Sequence, residues 1–199
     1  IPEAFPVIPM MGKGGTNWGD LYRSGYHEGI THVHHFYSRR NLIALASVNR
    51  LIAEAPRAQR AILSLWLSSY NVSHSTLMTR VVAKRGQRDL VTTSNQPGVL
   101  YLSGLPVEKN VFDGLRRKIK TIAHALECLA DTEGTVTIRQ GSCTNTHLAD
   151  NSIDYVFTDP PFGGNIPYSE ANFLSEAWLG RFTKTAEEAQ AEDDAKAKA

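Results

Sequence analysis

Residues 152–164 read Ser152-Ile-Asp-Tyr-Val-Phe-Thr-Asp-Pro-Pro-Phe-Gly-Gly. The run Ile153 to Phe157 is β-branched and aromatic, which predicts a buried strand. It stops at Thr158-Asp159-Pro160-Pro161-Phe162. Two prolines surrender their N–H groups and hold φ near about −65°, so the chain is expected to leave the sheet stiff and extended. A carboxylate, two unbonded carbonyls and an aromatic ring then stand at the carboxyl end of a strand. In open α/β sheets ligands bind there.

Working backwards, Asp150-Asn-Ser-Ile-Asp leads into that strand, and Thr135-Val-Thr-Ile-Arg (135–139) predicts another, followed by the loop Gly141-Ser142-Cys143-Thr-Asn. Val111 to Leu129 predicts an amphipathic helix, with Val111, Leu115, Ile119, Ile122, Leu126 and Leu129 on one face and Arg116, Arg117, Lys118 and Lys120 covering the rest. Asp131-Thr-Glu-Gly closes it, and residues 98–104 predict a short strand before it. Beyond the prolines, Tyr168 to Leu179 predicts a helix with Phe173, Leu174, Ala177 and Trp178 inward. This rhythm of strands and helices predicts an α/β fold.

Nearer the start, Ser38 predicts an N-cap for a helix whose stripe is Leu42, Leu45, Val48, Leu51 and Ile52, ending near Ala55-Pro56. Arg39 and Arg40 sit in its first turn, where the helix dipole disfavours cations; they read as an anion contact or, with more weight, an exposed pair. A second helix is expected from Pro56 through Ser69, its apolar surface made by Ile62, Leu63, Leu65, Trp66 and Tyr70. Residues 71–97 are polar and basic, a DNA-facing loop or a solvated one. Gly12 to Gly19 matches no phosphate-loop pattern and lacks a preceding strand, so 1–37 is read as an irregular segment, 38–183 as the α/β region and 184–199 as a low-complexity tail. His32, His34 and His35 lack partners at metal-ligand spacing, and local packing or hydrogen bonding is expected of them.

Charge is unevenly spread. The net charge is +1, yet residues 1–130 hold sixteen Lys and Arg against eight Asp and Glu. A basic body fits a polyanionic partner or a solvated surface. No apolar run reaches the ~18–20 residues of a membrane span, and the start lacks the basic and apolar regions of a signal peptide. Cys128 and Cys143 have neither CxxC spacing nor a secretory context, which predicts buried thiols in a reducing cytoplasm.

The segment Asp159-Pro160-Pro161-Phe162 resembles the DPP[FY] motif of the S-adenosylmethionine-dependent DNA amino-methyltransferases acting on adenine N6 or cytosine N4. The lead-in Asp150-Asn-Ser-Ile-Asp, the turn Ile138-Arg-Gln-Gly-Ser-Cys, the continuation Gly163-Gly-Asn-Ile-Pro-Tyr-Ser-Glu and the early Phe36-Tyr-Ser-Arg-Arg-Asn-Leu-Ile-Ala-Leu are similar to a bacterial or phage subgroup of such enzymes. The likeness covers most of 27–183 and is tightest over 138–180. It implies part of a Rossmann-like methyltransferase sheet with flanking helices, a DNA substrate and S-adenosylmethionine as methyl donor. It implies catalytic roles for Asp159, Pro160, Pro161 and Phe162, and cofactor contacts at Gly141, Ser142 and Asp159. Asp159 and the Pro160 carbonyl would hold the amine, and Phe162 would stack on the extruded base.

Two departures stand out. Ser142 replaces the acid that family members carry after the glycine, and no FxGxG cofactor loop occurs in the sequence. The chain is therefore expected to be a fragment whose cofactor loop lies in a further segment or subunit. The competing expectation is a catalytically silent nucleic-acid-binding remnant; a generic α/β protein with a proline turn is a third.

Overall fold

Helix α1 (Arg39–Glu54) starts where the capping residue predicts, with Ser38 Oγ accepting from the Asn41 N–H at 3.2 Å. It ends because Ala55 turns extended (ψ 159°) ahead of Pro56, a conformation forced on residues before proline. Pro56 then fixes φ at −54°, and the Gln59 N–H returns to its carbonyl at 2.8 Å to open α2 (Arg57–Ser68). A computed structural model describes residues 5–10, 29–83, 85–86, 90–93, 100–139, 146–159 and 168–183.

Further along are α3 (Asn71–Ser75), the strands β1 (Arg80–Ala83) and β2 (Leu90–Thr93), α4 (Val111–Ala130) and α5 (Tyr168–Leu179). β1 and β2 pair antiparallel, with Arg80 opposite Thr93 and Ala83 opposite Leu90. This hairpin replaces the loop expected over 71–97. Its β-branched residues, Val81 and Val82 in β1 and Val91, Thr92 and Thr93 in β2, were the sequence signal, hidden by the flanking Lys84, Arg85 and Arg88. Residues 100–107 run beside the chain entering β1, through Ser103 N–H to Leu77 O and Val107 N–H to Thr79 O, both 3.1 Å. They form one isolated bridge, Pro106 with Arg80, rather than the strand expected over 98–104, of which residues 98 and 99 lie outside the described residues.

One apolar cluster gathers Phe36, Leu45, Leu67, Tyr70, Leu115 and Phe173 from five parts of the chain. Leu42, Leu45, Val48 and Ile52 face it from α1 as their spacing requires, whereas Leu51 is 56% exposed. In α2 the inward residues are Leu63, Trp66 and Leu67, continued by Tyr70; Leu65, expected inward, points to water. The (i, i+3, i+4, i+7) series fits one helical face, and Leu65 lies off it. α5 behaves as expected: Phe173, Leu174 and Ala177 are buried, and Trp178 Nε1–H donates to Tyr37 Oη at 3.0 Å.

Polar groups inside find partners, with His34 Nδ1 the exception among the described residues. Asn41 Nδ2 donates to Ser75 O at 3.0 Å, and Thr79 Oγ1 donates to Val107 O at 2.6 Å. The N-terminal segment belongs to the same core. Val33 N–H bonds Ile8 O at 3.0 Å, Met10 N–H bonds Thr31 O at 2.8 Å, and Val33 and Phe36 are fully buried. The described residues thus form a helical assembly with one two-stranded antiparallel sheet. No described residues pair in a parallel sheet.

Candidate functional site

The chain approaches the proline motif through an exposed arm. α4 closes where Thr132 N–H and Oγ1–H both bond Leu129 O, at 3.2 and 2.7 Å, and Gly134 takes φ +145°. From there to Arg139 the chain lies outside any helix or strand, with Val136 84% and Ile138 91% exposed. Residues 146–159 are similar. His147 and Asn151 adopt left-handed backbone (φ 54° and 57°), and Ser152 Oγ–H closes a turn on Ala149 O at 2.7 Å. Tyr155, Val156 and Phe157 are open to solvent. The two strands expected at 135–139 and 153–157 therefore have no ladder partner among the described residues. A run buried on both faces becomes a strand only when neighbours supply those faces.

Asp159 ends this arm. It is exposed and has neither ion pair nor hydrogen bond among the described residues. Pro160, Pro161 and Phe162, with Gly141 and Ser142, lie outside the described residues, as does Cys143. Further along the chain, Phe173 and Leu174 of α5 are fully buried. A nucleoside-sized cofactor needs enclosing walls, typically about 300–1,000 Å³ of pocket. With Asp159 and residues 153–157 on solvent, the described part of the motif does not by itself form a site for S-adenosylmethionine.

A group of cations without carboxylate partners among the described residues lies elsewhere, around the start of α4. Asn110 Oδ1 caps that helix by accepting from the Phe112 and Asp113 N–H groups at 3.0 and 3.2 Å. Gly114 lies against the Tyr70 ring, where a Cβ would fall inside the ring itself. Tyr70 Oη–H donates to Asn110 O at 3.3 Å, and Trp66 Nε1–H to Leu115 O at 2.9 Å. Tyr70 stacks on His74 with centroids 5.1 Å apart and planes at 12°. These contacts bring His74 beside Lys109, Arg117 and Lys118. Burial, then Lys109, Lys118 and Arg117, hold the imidazole below its usual range. Burial, then Arg117, lowers Lys109. Sequence reading noted the basic run 116–120 but not His74, which α3 delivers from a distant part of the chain.

The same turn lines a cavity of about 290 Å³, together with Arg40, Asn41 and Ala44, through residues 108–112. Arg40 is held there by Glu108, Nε to Oε1 3.3 Å, so it is not a bare anion contact. Arg39 is exposed.

The histidine cluster is a 3-10 turn, Val33–Phe36, rather than the extended segment expected. It brings the three rings to 4.4–5.6 Å of one another. His35 Nδ1 accepts from the Thr31 N–H at 3.1 Å, and His32 Nδ1 lies 2.8 Å from Thr31 Oγ1. Among the described residues no group of three or more His, Cys, Asp or Glu could hold a metal ion. Cys128, expected buried, is exposed on the distal part of α4, its Sγ 3.7 Å from His124 Nε2. No helix among the described residues is long and apolar enough to cross a membrane. No protein-family model, no curated protein and no solved structure matches this chain.

Proposed function

We propose that this chain is the amine-holding part of a DNA methyltransferase of Rossmann-like α/β architecture, working with S-adenosylmethionine on adenine N6 or cytosine N4. The observation that carries the proposal is the run Asp150-Asn-Ser-Ile-Asp to Asp159-Pro160-Pro161-Phe162, ending in a carboxylate that no described residue neutralises. An exocyclic amine is a poor nucleophile because its lone pair is delocalised into the ring. Asp159 and the Pro160 carbonyl would accept its two N–H bonds, favouring a pyramidal nitrogen with its lone pair directed outward. A fixed carboxylate also stabilises the positive charge that grows on nitrogen, and hydrogen bonds to a charged group contribute roughly 1.5–3 kcal/mol each. Phe162 would cover the extruded base, where base–aromatic stacking contributes about 1–3 kcal/mol. The cofactor supplies an electrophilic methyl; its FxGxG loop would come from a further segment or subunit, with Gly141 and Ser142 completing the adenosine side.

A second reading, a nucleic-acid-binding relative without methyl transfer, is favoured by Ser142 standing where an acid is expected and by the cations around His74 that no described carboxylate pairs with. Labelled methyl transfer to DNA separates the two. Together with the cofactor-loop segment, the protein is expected to label DNA. Asp159→Ala should lower the rate by roughly 100-fold or more while cofactor binding by calorimetry is unchanged. Undiminished labelling by Asp159→Ala would remove the motif assignment, and no labelling with DNA still bound would leave the second reading.

A further inference from the structure

We infer that His74, Lys109, Arg117 and Lys118 form a contact surface for the phosphodiester backbone of DNA. The cluster is built rather than incidental. Tyr70 is 2% exposed, wedged under Gly114, and fixes the His74 ring by stacking, so one ring ties His74 to the start of α4. Ser73 Oγ lies 2.6 Å from His74 Nδ1, which leaves Nε2 as the ring nitrogen free to meet a ligand. Three cations, Lys109, Arg117 and Lys118, are collected around an imidazole whose protonation they disfavour. The acids nearby are engaged, Asp113 with Arg116 at 3.1 Å and Glu108 with Arg40 at 3.3 Å, and no described carboxylate pairs with Lys109, Arg117 or Lys118. Gathering like charges costs free energy that a bound anion returns. Phosphate oxygens match donors gathered from α3, from the turn before α4 and from α4 itself, and a polyanion engages several at once.

His74 gives the surface a signature that a merely solvated basic face lacks. In the unbound protein its neighbours disfavour protonation. A phosphate on Nε2 reverses that field, so binding takes up a proton and tightens as pH falls.

The choice of DNA rests on the proposed function, but binding is measured without methyl donor, so loss of methyl transfer and loss of this surface are separate results. The test is fluorescence anisotropy of the 199-residue chain with a labelled DNA duplex across salt and between about pH 7.5 and 6. Affinity should rise toward pH 6 by up to roughly tenfold per unit for one linked proton. Lys109→Gln, Arg117→Gln and Lys118→Gln should each reduce the log–log salt slope by about 1. His74→Gln should flatten the pH dependence, and His34→Gln, which is not a member of the cluster, should keep it. Circular dichroism confirms that each variant is folded, and the lysine variants decide the question if His74→Gln is not. An unchanged salt slope in all three cation variants, or a pH dependence surviving His74→Gln, overturns the proposal. Release of the duplex by millimolar inorganic phosphate at constant ionic strength would assign the site to a small phosphate instead.

Discussion

Gly114 shows how one residue can hold two helices in register. A helix interior normally disfavours glycine by roughly 0.5–1 kcal/mol relative to alanine. Here alanine has no room, because its methyl would enter the ring of Tyr70, itself buried against the core. Overpacking of this kind costs typically about 1–3 kcal/mol, more than the helix-propensity gain. Gly114→Ala should therefore destabilise the protein by about 1–2 kcal/mol net, read as a lower urea midpoint. A stabilised variant would show that the α4–Tyr70 contact is looser than described. Nothing in the sequence marks this role, since a glycine four residues into a basic amphipathic helix reads as a weak point. The close approach becomes visible only when Tyr70 arrives from a segment more than forty residues earlier.

At the level of elements, the legible features were those decided by local chemistry: the Ser38 cap, the Ala55-Pro56 break, and the faces of α1 and α5. Misread were the elements whose status depends on partners. Leu115 and Leu126 share one predicted stripe on α4, yet Leu115 is 2% exposed and Leu126 47% exposed, because α1 and α2 cover only the helix's first turns. The hydrophobic residues of 135–139 and 153–157 are in the same position. Leu115→Ala should cost about 2–5 kcal/mol as a core truncation, whereas Leu126→Ala should stay within about 0.5 kcal/mol. The Rossmann-like sheet of the proposed enzyme would cover that distal stripe and raise the second figure toward the first. Urea unfolding of the two variants thus measures which architecture the chain adopts in solution. The candidate site divides in the same way: the motif carrying Asp159 is readable from its residue types, while the His74 cluster is made by tertiary contact.

Across the whole molecule, two histidines among the described residues have perturbed protonation, and both push in one direction. His34 is lowered by burial and then by His35 and His32, with Nδ1 buried and unpartnered. His74 is lowered by burial and by three cations. Both start from an ordinary value of 6.5 and are held below it when folded. In the window beneath 6.5 the unfolded chain binds more protons than the folded one, so stability rises with pH there and levels off above it. Asp and Glu side chains, with ordinary values near about 4, stay ionised through most of that window and do not obscure it. Urea midpoints should accordingly fall as pH is lowered from neutrality toward about 5, and His34→Gln with His74→Gln should remove most of the fall. A midpoint that holds or climbs on acidification would contradict the burial of these two rings. Bound duplex should reverse the His74 share alone, so in excess DNA the acid loss should shrink to what His34 contributes. Binding at any other surface would leave that loss unchanged.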